Sequence, residues 1–529
     1  MAAVLATPVT AEPGARGGPR EACRLPQEEL ERTARGYFPG RGGQLQTLTA
    51  PPDFVGPGLP HVGPWDYLQH VPMLWYGPGQ IAASGRVGRS VTSADIAATQ
   101  AALLQFDRFR SDGQPMHEVL PQGRREPPKL IITMIWDAAG MNVLDKWGSS
   151  WPYLRSLIPK GTWYEHATVG TSPSTTAPVH ATIGTGMFPQ SHGVTGHRVL
   201  IGNGVFAPWE TGSTLLIEPT LADIYDRAMD NEPIVGEVAT REIHLGLIGH
   251  GSDWGGGDKD IVVLRAASES DTLGEEGESW NLIGPAARQF RFPKYANRVD
   301  GLQADVAKLD QADGAANDRW RDNPIEPLLG GFETPARVPY QNRLVERLIR
   351  REHFGKDAVP DLLFLNYKLI DFVSHAWSMN SLEMRDSVRA QDEGLRQFVA
   401  FLNKQVGRGK WVLALTADHG AVPQPSTTGA TVMSPDKLTR AIDAHFGAGT
   451  DSLVLHVQGV SVVLDEVRMR QLHTSPEEIA AFVASLSKTD LFTGAPPSPL
   501  DANRDAFEAA FASSVLEGAP CLQQKGPRE

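Results

Sequence analysis

The chain runs to 529 residues and 57.4 kDa, enough at roughly 150 residues per domain for three or four units, or for one large domain with insertions. Hydrophobic residues make up 41% and charged residues 21%, and 53 glycines with 40 prolines stay below the level of disordered or fibrous chains, so a soluble globular protein is expected. The formal charge of −13 excludes any general attraction to nucleic acid or to an anionic membrane surface.

Residues 1–22, rich in Ala, Gly, Pro and Arg, read as a loose tail without the basic and long apolar regions of a secretory signal. No uncharged apolar run reaches the roughly 18 residues of a membrane span, so a cytoplasmic protein with no membrane segment is expected. PQEELERTARG at 26–36 predicts a short helix, and MLWYG at 73–77 a buried strand. PQGRREPPK at 121–129 is a hydrophilic break that reads as a linker between residues 23–120 and a core over 130–425. Within that core LIITMIW (130–136), LLFLN (362–366) and WVLALT (411–416) are further buried strands, and the polar stretch 267–345 reads as an inserted cap. Residues 426–515 form a smaller α/β lobe, with LVLHV and VSVVLD as strands and PEEIAAFVASL as a helix, before a tail at 516–529. Continuous apolar strands alternating with helical patterns imply an α/β fold, a mostly parallel sheet covered on both faces.

Cys23 and Cys521 are the only cysteines, so no disulfide framework or cysteine zinc cluster is available, and any metal must be held by His and carboxylates. Three of the strands end at or shortly before an acid. Asp137 follows the first, Asp371 lies five residues beyond the second, and Asp418 two beyond the third. Open α/β sheets place ligand sites at the carboxyl ends of their strands, so these carboxylates are expected to converge. His375 stands one helical turn after Asp371 and His419 directly after Asp418, and Asp with His suits borderline divalent metals. A single Asp at a strand end is commonly a helix cap; the recurrence at three strands, two with an attached His, is what points to a site. The segment 168–197 adds a run of hydroxyls before Pro178 and His180, and a metal or base is what turns a hydroxyl into a nucleophile. GGG at 255–257 lacks the strand and spacing of a nucleotide fingerprint and reads as a flexible loop.

Asp137 after a buried strand, Thr176-x-Pro178-x-His180 leading into TGMFPQSHGV, Asp371-x-x-x-His375, and TADHG at 416–420 together resemble the alkaline phosphatase superfamily, nearest its nucleotide pyrophosphatase/phosphodiesterase branch. The resemblance spans about residues 129–425. It implies an alkaline-phosphatase-like three-layer domain with cap insertions, two divalent ions, most simply zinc, with manganese or iron as alternatives, and a phosphothreonine intermediate on Thr176. Ser174 and Thr175 remain competitors for that role. One ion is then expected on Asp137, Thr176, Asp418 and His419, the other on Asp371, His375 and one further His.

In the family that last ligand lies near the C-terminus, before an apolar strand. None of His445, His456 and His473 has such a setting here, whereas LPHVGPWDYLQHVPMLWYGPGQ at 59–80 does, so His61 is the implied ligand. GYFPGRGGQL (36–45), TSADIAATQAALLQF (92–106) and DGQPMHEVL (112–120) also resemble the family's C-terminal part, which implies a circularly permuted chain, with its front quarter joined through 121–129. Strand 73–77 should then share a sheet with 130–136, and Cys23 should lie near Cys521.

His197 stands where many relatives carry an Asn that contacts the phosphoryl group, and Lys368 precedes Asp371 by three; both are expected substrate contacts. The loop that carries a Lys and an Arg in monoester-specialised relatives has only Arg241 here. The expected function is hydrolysis of a small-molecule phosphoric ester, with diesters or pyrophosphates ahead of monoesters. A monoesterase, a phosphonate hydrolase or an inactive metal-binding relative are the alternatives. No nucleic-acid-binding module is expected, and the absence of the sulfatase cysteine motif excludes that branch.

Overall fold

The computed structural model describes residues 17–123, 125–265, 280–325, 334–494, 498 and 501–523. Nine strands form the main sheet, in the spatial order Trp280–Asn281, Ile261–Arg265, Val235–Ala239, Asp361–Tyr367, Leu130–Trp136, Trp411–Thr416, Met73–Tyr76, Thr162–Thr168, Gly85–Thr92. Pairing is parallel except at the short edge strand Trp280–Asn281 and at Met73–Tyr76, which runs antiparallel to both its neighbours.

All seven residues of Leu130–Trp136 and all seven of Asp361–Tyr367 are buried, because helices cover both faces. Thr133 pairs with Phe364 and accepts a hydrogen bond from Gln100 on helix Asp95–Leu103. Tyr367, three residues beyond Phe364 and therefore on the opposite face, donates to Asn342 on helix Arg337–Arg351. Strand Met73–Tyr76 lies in the same sheet as Leu130–Trp136, as the sequence predicts.

A second, four-stranded antiparallel sheet runs Val454–Val457, Ser461–Leu464, Leu45–Leu48, Ala509–Ala512. Its core draws Leu438 and Ile442 from helix Pro435–Phe446 and Ile479, Ala480 and Val483 from helix Pro476–Val483. The smaller lobe expected over 426–515 thus includes a strand from the front of the chain. Of the tail expected over 1–22, residues 1–16 lie outside the described residues, while Gly17 bridges to Phe511 and Pro19–Ala22 is helical. At the other end Pro520–Gln523 is a helix, and the rest of the tail expected to 529 lies outside the described residues, as do 266–279 and 326–333 of the expected cap and residue 124 of the linker. Cys23 and Cys521 form a disulfide with 5.8 Å between their Cα atoms. Ala22, Leu25, Leu30, Phe511 and Leu516 pack around it as one small cluster.

Candidate metal centre

The three central strands end level, with Trp136 opposite Tyr367 and Ile135 opposite Thr416. The residues that follow them therefore emerge at one edge of the sheet. Beyond Asp137 the chain turns at Ala138, whose φ of 59° is left-handed for a residue with a Cβ and whose N–H donates to Asp418 Oδ1 at 3.0 Å. Lys368 leads into helix Leu369–Trp377, which sets Asp371 and His375 one turn apart on one face.

His61 arrives from the far side of the sequence on a loop clamped to the Thr176 loop. Gln69 donates from Nε2 to Gly63 O (3.0 Å) and Thr171 O (2.8 Å) and accepts from Gly170 N–H. Ser174 Oγ lies 3.1 Å from His61 O and 3.0 Å from Gly63 O. These bonds hold the ring against Asp371 and His375.

The geometry fits a metal. His61 Nε2 lies 3.2 Å from Asp371 Oδ1 and 3.2 Å from His375 Nε2, and His375 Nε2 lies 3.4 Å from the same Asp371 oxygen. Zinc bonds of 2.0–2.1 Å in a tetrahedron give ligand-to-ligand edges of about 3.3 Å. His375 donates from Nδ1 to Gly58 O at 2.6 Å, which leaves the Nε2 lone pair facing inward. A second group forms at the neighbouring strand end. His419 donates from Nδ1 to Gly420 O, and its Nε2 stands 3.2 Å from Asp418 Oδ2 and 3.7 Å from Asp137 Oδ1. Among the described residues Asp371 Oδ1, Asp418 Oδ2 and His419 Nε2 are buried without a hydrogen-bond partner, as donor atoms awaiting a cation are. The rings of His61 and His419 stack at 3.6 Å, so the two groups adjoin.

Burial opposes charge on His419, but Asp418 and Asp137 prevail and raise it to about 9. Burial and the neighbouring His419 push His61 down to about 4, against the pull of Asp371. One imidazole thus takes a proton and its stacked neighbour refuses one. A divalent cation bound there would have to displace the proton from His419, because only neutral imidazole serves as a metal ligand.

Lys368 is buried between the two groups. Its Nζ lies 2.8 Å from Asp137 Oδ1, 2.9 Å from Asp371 Oδ2 and 3.2 Å from Thr176 Oγ1. Burial works against this cation, and Asp137 and Asp371 outweigh it and raise its pKa. Thr176 is the first residue of helix Thr176–Thr185 and is fully buried. Of its competitors, Ser174 is engaged with the His61 loop, and Thr175 Oγ1 has no partner among the described residues. His197 is exposed, within reach of the charges of Lys368, His61 and His419.

Three polar residues of the site were not singled out as site residues in the sequence. His180 donates from Nδ1 to Thr176 O at 2.8 Å and accepts from Asn366 Nδ2 at 3.1 Å. Asn366 also donates to Asp137 Oδ2 at 2.9 Å. His244 donates from Nδ1 to Arg241 O and holds Nε2, which has no hydrogen-bond partner among the described residues, 3.5 Å from Asp137 Oδ2. It gets there because its segment, Glu242–Leu247, packs glycine against glycine on helix Thr176–Thr185: a Cβ on Gly246 would come within 2.6 Å of Ala181 N. The signal for Asn366 was its place at the end of LLFLN, and for His244 its place in the loop searched only for Lys and Arg.

Comparison with known proteins agrees with this architecture. The chain is 22% identical over 364 residues to a protein named calcium-transporting ATPase from Myroides odoratus, covering 58% of this chain and 62% of that one. It is 22% identical over 347 residues to alkaline phosphatase PafA of Elizabethkingia meningoseptica, covering 56% and 60%. It thus spans about three-fifths of the length of these curated relatives. A shorter match, 36% over 77 residues, links it to alkaline phosphatase PhoV of Synechococcus elongatus, over 15% of this chain and 14% of that one. A crystal structure of wild-type alkaline phosphatase PafA superposes with a TM-score of 0.52 at 16% identity, over 74% of this chain and 85% of the other, so the fold is alkaline-phosphatase-like. Residues 131–494 match the family described as type I phosphodiesterase / nucleotide pyrophosphatase. The chain therefore belongs to the type I phosphodiesterase / nucleotide pyrophosphatase family, within the alkaline phosphatase superfamily.

Proposed function

We propose that the protein is a metal-dependent phosphoric ester hydrolase that works through a phosphothreonine on Thr176 and two zinc ions. The observation that carries this reading is the convergence of two Asp and His groups around one buried threonine, one of them with donor separations of 3.2, 3.2 and 3.4 Å. His61, Asp371 and His375 would hold one ion; Asp137, Asp418 and His419, with Thr176 Oγ1, the other. Bound there, the ions supply Lewis acidity toward the nucleophile, the leaving oxygen and the hydrolytic water. Thr176 Oγ1 attacks phosphorus in line, the ester oxygen leaves on the opposite side, and water then releases phosphate or its monoester from the threonine. Lys368 sits where it can hydrogen-bond the Thr176 oxygen and a phosphoryl oxygen, and His197 lines the entrance. His180 and Asn366 fix the Thr176 backbone and the Asp137 carboxylate.

Arg241, the only basic side chain in the loop aligned with the monoesterase pair, is exposed, which supports diesters or pyrophosphates as substrates. Lys368 favours a second reading, monoesters, because it places a buried positive charge beside the nucleophile. Metal content by mass spectrometry, with kcat/KM for bis(4-nitrophenyl) phosphate and 4-nitrophenyl phosphate, separates the two. Thr176→Ala is expected to lower turnover by several powers of ten with the metals retained. Near-normal activity in that variant, or loss only in Thr175→Ala, would refute the nucleophile assignment.

The chain order is read as a circular permutation of the family's. The position of His61 supports this, as does strand Met73–Tyr76 lying against Trp411–Thr416. A chain opened at 121–129, with 523 linked to 17, should fold and keep its metals. Failure of several linker lengths to do so would count against the reading.

A further inference from the structure

At the opposite edge of the sheet from the metal centre, the end of helix Leu221–Ala228 meets the loop that enters strand Ile261–Arg265. One carboxylate oxygen from each of Asp226, Asp258 and Asp260 lies within 4.8 Å of the others. Asp226 is 3% exposed and Asp260 7%, while Asp258 is open to solvent. Among the described residues no Lys, Arg or His forms an ion pair with any of the three. Arg291, the cation that acts on Asp258, is held by Glu352, and the nearby Asp223 is matched by His250.

A separate observation points to a ligand. Asp226 Oδ1 is buried with no hydrogen-bond partner among the described residues, and so is Asn231 Oδ1. Asn231 is tied to the same place, its N–H donating to Asp226 O at 3.0 Å and its Nδ2 to Gly256 O at 3.1 Å. Two buried acceptors without a donor, next to carboxylates without a counter-charge, call for a cation. Burial, and then Asp258 and Asp223, lift Asp226 to about 7, as crowding of like charges would.

The donor set is oxygen alone, which selects a hard cation over zinc. Calcium takes six to eight oxygens, carboxylates and amide carbonyls among them, whereas magnesium keeps several waters and is usually held by one or two carboxylates. Three carboxylates with an amide oxygen suit calcium. The loop Gly255-Gly256-Gly257 lets Asp258 close on it, with Gly256 at a φ of 94°. We propose that Asp226, Asp258 and Asp260, assisted by Asn231 Oδ1, bind one calcium ion that fastens the end of this helix to the start of its strand. This is a structural site independent of the hydrolytic one.

The test uses full-length protein, stripped with chelator and reloaded with zinc. Thermal unfolding with and without calcium, calcium titration calorimetry and ester turnover are compared for the wild type, Asp226→Asn and Asp258→Asn. Calcium about 100-fold above its Kd should raise the wild-type Tm by roughly 3 °C. Without calcium both variants should melt at or above the wild type, because a repelling charge is gone. With calcium they should gain nothing, while turnover stays unchanged. The exposed position of Asp258 keeps that variant folded and the test decisive. No calcium-dependent shift in the wild type, a shift that survives in Asp258→Asn, or an equal shift with magnesium would overturn the assignment.

Discussion

Replacing Lys368 with methionine removes the cation that joins the two metal-ligand groups while keeping most of the side-chain volume. Its Nζ contacts carboxylates at 2.8 and 2.9 Å in a buried setting, and breaking a buried ion pair from one side costs about 3–5 kcal/mol. That loss applies to metal-free protein, where Asp137 and Asp371 are left without a counter-charge. With divalent ions bound the carboxylates keep a partner, and the remaining loss is that of a hydrogen bond, about 1 kcal/mol. The difference of at least about 2 kcal/mol must reappear in metal binding, so Lys368→Met should hold its ions more than tenfold tighter than the wild type. Urea unfolding in chelator and in zinc gives the two stabilities, and competition with a chromophoric chelator gives the affinity. Equal destabilisation in both buffers, with unchanged metal affinity, would refute the argument. The same variant should lose more kcat/KM on a monoester than on a diester, because the dianion gains more from the ammonium.

His61→Ala removes one corner of the ligand triangle without touching the core, and is expected to lower the zinc content by one ion per chain and to cost activity, with little change in the circular dichroism spectrum; full zinc content would exclude His61 as a ligand. Glu237 is fully buried in strand Val235–Ala239, neither carboxylate oxygen has a hydrogen-bond partner among the described residues, and burial raises its pKa well above the usual range. A raised carboxyl is protonated in the fold, so its contribution is complete below its unfolded pKa and is lost as pH rises toward the folded one. Wild-type stability should therefore fall relative to Glu237→Gln by up to about 1.4 kcal/mol per pH unit above pH 5. Parallel stability curves over pH 5–8 would show that Glu237 stays charged or bonded.

The sequence was legible where structure leaves a repeating mark. Leu130–Trp136 and Trp411–Thr416 are buried on both faces and read as unbroken apolar runs. Gly85–Thr92 is an edge strand with a single buried residue, and GRVGRSVT carries no such run. Val235–Ala239 is interrupted by Gly236 and Glu237. Leu45–Leu48 is four residues long, and its partners lie more than four hundred residues away, so neither length nor neighbourhood betrays it. The site divides the same way. Asp137, Asp371, His375, Asp418 and His419 sit at fixed offsets from strands, and His61 has a recognisable flank. Asn366 and His244 act on Asp137 through its second oxygen, a relation set by the approach of distant segments and by no spacing along the chain. Two cysteines make no framework, but the permuted order already set Cys23 near Cys521; the bond itself counted only as an extra in a reducing compartment. The bond they form suits an oxidising compartment better than the cytoplasm expected from the sequence.

That bond spans 498 residues and turns nearly the whole polypeptide into a ring. Closing so long a loop removes disorder from the unfolded chain equivalent to about 6 kcal/mol on the chain-entropy estimate. A ring also changes what a cut does. A protease that nicks the chain at the exposed Gln122 and Gly123, or at Arg125 and Glu126, would leave the His61 segment and the rest of the metal centre as two peptides still joined through sulfur. They would run as one species on a non-reducing gel and part only when thiol is added.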